Sequence, residues 1–206
     1  LGVLDLDREA LESAVTRLRA SGAANVSAYP GDVAGHEFVA AAVTGFSQAN
    51  QGLDVMVNNA GVAVAGAVET TPVDDWNWIV GINLLGVVWG CRTALPVLKR
   101  QGSGLIFNIA SSAGFALSET LASELAGTGL QVSCAMPGFF RTHLLDHMRA
   151  PPEENRLAHR IMDNSGHDPD EAALALLGAA AAGELYVVWP PEYRWAWRLK
   201  RWFPRW

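Results

Sequence analysis

The chain has 206 residues, 50% of them hydrophobic, enough to bury one sizeable core and a better fit to one domain than to two. Its formal net charge is -6 and the basic residues are not massed along one face of the main body, which excludes a nucleic-acid footprint there. No positively charged leader opens the sequence and no apolar run reads as long enough to cross a bilayer, so a soluble, cytoplasmic protein is expected.

Short β-rich runs alternate with helical patterns. "LGVLDL" reads as a strand, followed by a helix over "DREALESAVTRLRASG" with Asp7 as N-cap, Leu11, Ala14 and Leu18 on one face and Gly22 as the stop. "NVSAYPGDV" is the next strand, "GHEFVAAAVTGFSQANQG" the next helix and "LDVMVNNAG" the third strand. This alternation predicts βαβ units and a parallel sheet. A long helix follows Thr71 as cap and Pro72 in the first helical position, with Asp74 and Asp75 at its positive end. It is apolar nearly all round, so burial on several sides, between the sheet and another helix or subunit, is expected. "GLIFNIASS" and "GLQVSCAMPG" are strands separated by "ALSETLASELAGTG"; residues 139–170 read as an irregular polar stretch; an alanine-rich helix and the strand "ELYVVWP" come last. Cys91 and Cys134 fall in apolar segments without zinc-ligand spacing, so they read as reduced core thiols and no metal site is expected.

In an open α/β sheet, ligands bind beyond the carboxyl ends of the strands. Here those ends carry Asp5, Asp32, Asn58-Asn59-Ala60-Gly61, Ser111 with Ser112, and Pro137-Gly138. Asp5 is placed to accept hydrogen bonds from both hydroxyls of an adenosine ribose, and its charge would repel a 2'-phosphate, favouring NAD over NADP. A helix cap is the competing reading. The Asp32 carboxylate either takes an adenine amino group or closes the turn after Gly31. The Asn-Asn-Ala-Gly run lets backbone approach a flat ligand while amide side chains tie neighbouring strands. Asn83 stands inside an apolar helix, where a buried amide needs partners; a satisfied core amide competes with a functional role.

In order and spacing these residues resemble the short-chain dehydrogenase/reductase family, from Leu1 to about Thr142 and more loosely beyond. The resemblance implies a Rossmann-like doubly wound parallel sheet with helices on both faces, its first strand and glycine-rich turn lying outside this sequence. It implies an NAD(P)-dependent oxidoreductase that interconverts a secondary alcohol and a carbonyl by hydride transfer. Asp32 and Val33 match the family's adenine-contacting pair, Asn59, Ala60 and Gly61 belong to its central signature, and Asn83 and Ser111 match its catalytic asparagine and serine. Ser111 is chosen over Ser112 because the family's serine stands three residues before the glycine matching Gly114. Pro137, Gly138 and Thr142 are similar to the segment that brackets the nicotinamide. The substrate implied is a small apolar alcohol or carbonyl, covered by the segment from Phe139 to His167.

Hydride transfer needs a proton moved on or off the substrate oxygen. In the family a tyrosine does this, its phenol brought down from about 10 by a lysine four residues later and by the oxidised cofactor's charge. The only tyrosines here are Tyr29, Tyr186 and Tyr193 and the only lysines Lys99 and Lys200, so no tyrosine precedes a lysine by four. The glycine-rich phosphate turn is missing too, and "TGFSQANQG" has the wrong spacing at a helix end. Between Ser111 and Pro137 the chain is shorter than the family pattern by roughly five helical turns, and the join of Phe115 to Ala116 reads as an excision. Either this is a relative that has lost both elements, or the sequence records only the ordered part of a longer molecule. The second is expected, with phosphate and catalytic loops mobile in the absence of cofactor. A non-catalytic dinucleotide-binding or sensor protein is the alternative; a methyltransferase gives Asn59, Asn83 and Ser111 no joint role.

The end of the chain, "WPPEYRWAWRLKRWFPRW", packs tryptophan against arginine. Docking on its own domain or on another subunit ranks above peripheral membrane contact, and a homodimer or homotetramer is expected.

Overall fold

A computed structural model describes residues 1–110, 115–138, 140 and 142–202, with only the backbone of Phe115, Ala116, Lys200 and Arg201. The elements follow in order as β1 (Gly2–Asp5), α1 (Arg8–Ala20), β2 (Ser27–Pro30), α2 (His36–Ala49), β3 (Val55–Asn58), α3 (Val73–Val80), α4 (Val87–Gln101) and β4 (Gly104–Ile109). Then come α5 (Phe115–Glu124), β5 (Leu130–Pro137), α6 (Pro152–Asp163), α7 (Pro169–Ala181), β6 (Tyr186–Trp189) and α8 (Tyr193–Trp202). Local chemistry sets several boundaries. The Asp7 carboxylate accepts from the backbone N–H groups of Glu9 and Ala10 to open α1, and Asp168 does the same for α7 through Asp170 and Glu171. Gly102, at φ 74°, closes α4 in the left-handed conformation.

All strand pairs are parallel, and helices cover both faces of the larger sheet. Adjacent residues of β4 show why: Ile106 joins a core with Leu98, Leu121 and Val43, from α4, α5 and α2, and with Leu125 just past α5, whereas Phe107 joins Leu176 and Ala180 of α7 with Val187 and Trp189 of β6. Successive strand residues face opposite ways, so one apolar pair buries two helical layers. The Rossmann-like α/β class implied by the sequence is the class observed.

The sheet is divided. β1 and β2 form one ribbon, and β3, β4, β5 and β6 form a separate four-stranded sheet in that order. The two are joined through α2, which packs against α4 and sets Phe46 over Gly2 of β1. β1 and β3 therefore each carry one unpaired edge among the described residues. Val55 and Val57 of β3 are 43% and 46% exposed, because α7 reaches β5 and β6 but not β3. An apolar strand at a sheet edge is thus open to solvent.

Several elements differ from expectation. The long helix is α-helical at both ends but π-helical over Gly81–Gly86. It begins at Val73 with Pro72 in the cap position, while the Thr71 hydroxyl donates back to the Ala67 carbonyl instead of capping. Nor is it buried on several sides: α3 buries no residue, and Val73, Trp76, Val80 and Leu84 stand exposed. Its charges gather towards the ends, so Val73–Gln101 is, by length and a mean hydropathy of 1.4, apolar enough to cross a membrane, contrary to the sequence reading. Its second half nevertheless packs Cys91, Ala94 and Leu98 into the core. The stretch from 139 to 170, read as irregular, holds α6, which starts directly on Pro152 with Glu153 and Glu154 in its first turn. Finally, α5 runs through the Phe115–Ala116 join as one helix in a 206-residue sequence. The stretch "ALSETLASE" falls within this helix.

Replacing Val57 with lysine puts charge on the open edge without touching the core. Urea unfolding should change by no more than about 0.5 kcal/mol, while light scattering at raised concentration should fall.

Candidate active site

The site sits at the carboxyl ends of β1, β2, β3 and β5. At β3 the two asparagines divide the work. Asn58 is 8% exposed and its Nδ2 donates to Asn108 Oδ1 on β4 at 2.7 Å, across a register pair of the two strands. Asn108 Nδ2 donates in turn to Ser118 Oγ of α5 at 3.1 Å, and the Cys91 thiol of α4 lies 3.5 Å from Asn58 Nδ2. Gly90 is obligatory here, since a Cβ on it would collide with the Asn58 carboxamide. Asn59, Ala60 and Gly61 then emerge exposed at the rim.

Asn83 holds the next residue of that rim. Its Oδ1 accepts from Val62 N–H and its Nδ2 donates to Val62 C=O, both at 2.9 Å. The two bonds mimic a strand pairing and fix the backbone just past Gly61, whose α-carbon side faces Asn83 Oδ1. Asn83 is exposed, not a core amide, and it lies in the π-helical turn. Such turns widen the helix by one residue and recur at functional sites.

On the ribbon, Asp5 Oδ1 accepts from Asp7 N–H at 2.9 Å, so Asp5 shapes the turn and Asp7 caps the helix. Asp32 Oδ1 likewise accepts from Ala34 N–H at 2.9 Å, closing the turn after Gly31. Both carboxylates remain exposed beside the crevice. Val33 packs against Gly86 at the end of the π-helical turn, which couples Asp32 and Val33 to the helix that carries Asn83.

On the far side, Gly138 N–H donates to the Trp189 carbonyl at 2.6 Å, and the Tyr193 ring of α8 fills the space over Gly138. Thr142 Oγ1 accepts from Leu144 N–H at 3.3 Å, capping a short 3-10 turn, His143–Leu145. Past that turn Arg149 locks the segment back onto the rim: its backbone bonds to Ala63 and Ala65, its guanidinium donates to Asp75 at 2.7 Å and stacks 3.9 Å from the Trp78 ring centre. A cavity of 240 Å³ between Ala65, Thr71, Asp75 and Arg149 lies beneath this clamp. Of the apolar residues of this segment, Leu145 is buried and Leu144 exposed. Ser111 lies outside the described residues.

The comparisons decide the family. The profile described as "short chain dehydrogenase" matches residues 1–116, more than half of the chain. This chain belongs to the short-chain dehydrogenase family. It is 31% identical over 189 residues, 82% of this chain and 72% of the other, to 3beta-hydroxysteroid dehydrogenase 1 of Eggerthella lenta. It is 29% identical over 208 aligned positions to 2-(R)-hydroxypropyl-CoM dehydrogenase of Xanthobacter autotrophicus, covering 91% of this chain and 83% of the other. That alignment holds more positions than this chain contributes residues, so the relative has segments with no counterpart here. A short-chain dehydrogenase/reductase from Burkholderia phymatum, solved in complex with NAD, superposes with a TM-score of 0.90 at 26% identity, covering 98% of this chain and 83% of its own. A gluconate 5-dehydrogenase from Burkholderia cenocepacia, solved with NADP and tartrate, superposes with a TM-score of 0.64 at 27% identity, covering 69% and 62%. Family members of this kind carry out redox chemistry at hydroxyl and carbonyl carbons.

The residues present fit a nicotinamide dinucleotide unevenly. Asp5, Asp32 and the exposed Asn59-Ala60-Gly61 rim suit the adenosine half, where carboxylates and backbone meet hydroxyls and a flat ring. The pyrophosphate has no comparable cradle among the described residues: the α1 N-terminus is already capped by the Asp7 carboxylate. Nor do the remaining tyrosines offer the acid. Tyr29 lies within β2, Tyr186 donates to Glu119, and Tyr193 is stacked on Gly138; Lys99 pairs with Glu124 at 3.0 Å.

Sequence reading located Asn58 in the right run but missed its partners Asn108, Ser118 and Gly90. The signal was present as one buried-strand asparagine two residues beyond Ile106 and a glycine within an apolar helix. Removing one partner strands the other: Asn58→Leu should cost about 1–3 kcal/mol in urea unfolding. The thiols give a second check. Burial pushes Cys91 from its ordinary 9.0 up to about 11, against weaker opposing bonds from Asn108 and Asn58, and burial raises Cys134 as well. The folded state holds the Cys91 proton more tightly than the unfolded state, so this contribution is complete below pH 9 and is lost as pH rises towards 11. Cys91→Ala should flatten the alkaline loss of stability by about 3 kcal/mol, as followed by urea unfolding against pH.

Proposed function

We propose that this chain is an NAD-preferring oxidoreductase that interconverts a secondary alcohol and a carbonyl by hydride transfer, with its own residues supplying cofactor binding and substrate orientation. The observation that carries the reading is the two-bond clamp of Asn83 on Val62, which fixes the backbone just past the Asn59-Ala60-Gly61 rim. When bound, the dinucleotide supplies hydride at the nicotinamide carbon. Asp5 and Asp32 hold the adenosine end, and the carboxylate of Asp5 disfavours a 2'-phosphate. Pro137 and Gly138 flank the nicotinamide face, with Thr142 beside them. Ser111 donates a hydrogen bond to the substrate oxygen. Asn83 spends one N–H and one lone pair on Val62, and each of its polar atoms keeps capacity for a water that relays a proton.

The proton itself has no tuned carrier in these residues, which sets the expected rate. Loss of a positioned general acid costs typically 10²–10⁴-fold, so the chain turns over slowly and binds well relative to its turnover. The exposed stripe of Trp76, Val80 and Leu84 supports a homo-oligomer. A second reading is a dinucleotide-binding protein without turnover, since no tyrosine in the sequence precedes a lysine by four.

Titration with NADH and NADPH, read by cofactor fluorescence, should give tighter binding of NADH, and Asp5→Ala should reduce that preference about tenfold, the worth of one charged hydrogen bond. Asn83→Ala should weaken NADH binding by a similar factor. Absorbance at the NADH band with a panel of small ketones separates the readings. Slow enzyme-proportional oxidation supports the oxidoreductase, binding without oxidation supports the second reading, and no binding of either cofactor overturns both.

A further inference from the structure

The last helix has two faces with different fates. Trp197 turns inward against Tyr186, ring centres 5.4 Å apart, and Tyr193 covers Gly138. Trp195 and Trp202 turn the other way and are 67% and 82% exposed. With Leu199 they occupy positions i, i+4 and i+7, a single apolar stripe. Arg194 and Arg198 flank it, one helical turn apart, and the Arg194 Nε donates to the Val188 carbonyl at 3.3 Å, holding the helix end against β6. Pro191 completes an open trough of 480 Å³ between these side chains. Docking on its own domain or on another subunit was expected of these tryptophans; of those in α8, Trp197 docks on its own domain.

We propose that α8 is a peripheral docking helix for an anionic lipid bilayer. Charge points to this occupant: residues 191–206 carry five basic side chains and one acidic one, on a chain whose net charge is -6. The rest of the molecule is repelled by an anionic surface while this helix is drawn to it, which orients the protein with α8 down. The side-chain types agree. Indole seats at the boundary between headgroups and acyl chains, and arginine keeps its head among phosphates while its stem lies on apolar surface. The helix spans about 15 Å at 1.5 Å per residue, too short to cross and suited to lying in the interface. A second copy of the chain is a poorer occupant, since a stable interface needs about 800 Å² from each partner and three side chains on one short helix cannot supply it.

The full chain should co-sediment with phosphatidylcholine vesicles containing phosphatidylserine at least about tenfold more than with phosphatidylcholine alone, and added salt should reverse the difference. Trp195→Ser with Trp202→Ser should lower that binding about tenfold, and Arg198→Gln should lower it and blunt its salt dependence. Circular dichroism of each variant should match the parent, because the substituted side chains are exposed. Equal sedimentation with both vesicle types, or none with either, overturns the proposal. So does a concentration-dependent dimer in sedimentation velocity that the tryptophan variants abolish while vesicle binding stays absent.

Discussion

The bond from Asn58 to Asn108 is the constraint on which the site depends. It joins the last residue of β3 to its register partner on β4 inside a nearly water-free layer, where an unmatched amide would cost more than the bond returns. A slip of β3 by one residue would turn Asn58 into the opposite helical layer and leave Asn108 unmatched, so the bond specifies register as well as adding stability. Gly90 must remain without a side chain to leave it room, and Ser118 must sit on α5 to satisfy its far end. Everything functional at the rim, from Asn59 to the clamp on Val62, is displayed from the end of this strand pair.

What could be read from the sequence followed from how local the cause was. The strand and helix alternation, the Asp7 cap and the Gly102 stop depend on a few neighbouring residues and were legible. Asn83 was legible as an anomaly, but not its partner, because Val62 is reached through a turn that only the fold closes. The exposure of α3 was illegible for a similar reason: an all-round apolar pattern states what a helix tolerates, not what covers it. Helix α6 was hidden by its prolines, which sit at the helix start where they do no harm. At Ser111 the reading rests on the family pattern alone.

The divided sheet has a physical consequence for its edges and faces. A parallel sheet normally hides its edges and faces under crossover helices, yet β1 and β3 each present an open edge and β3 a bare apolar face. The ribbon of β1 and β2 would be marginal alone; it is held by α2, whose Val39 and Val43 belong to the larger core. The two-stranded ribbon and the four-stranded sheet are thus connected chiefly through one helical layer, with Val33 against Gly86 as a further link.

That link ends at the π-helical turn, which acts as a phase shifter. Each extra residue in a helical turn rotates everything beyond it by about 100°, one residue's share of a full turn. Below the turn the helix aims Cys91, Ala94 and Leu98 at the core; above it the stripe of Trp76 and Val80 points away from the core, and Trp78 turns to Arg149. One chain segment therefore serves as an inward-facing wall and an outward-facing one, with Asn83 at the pivot between them.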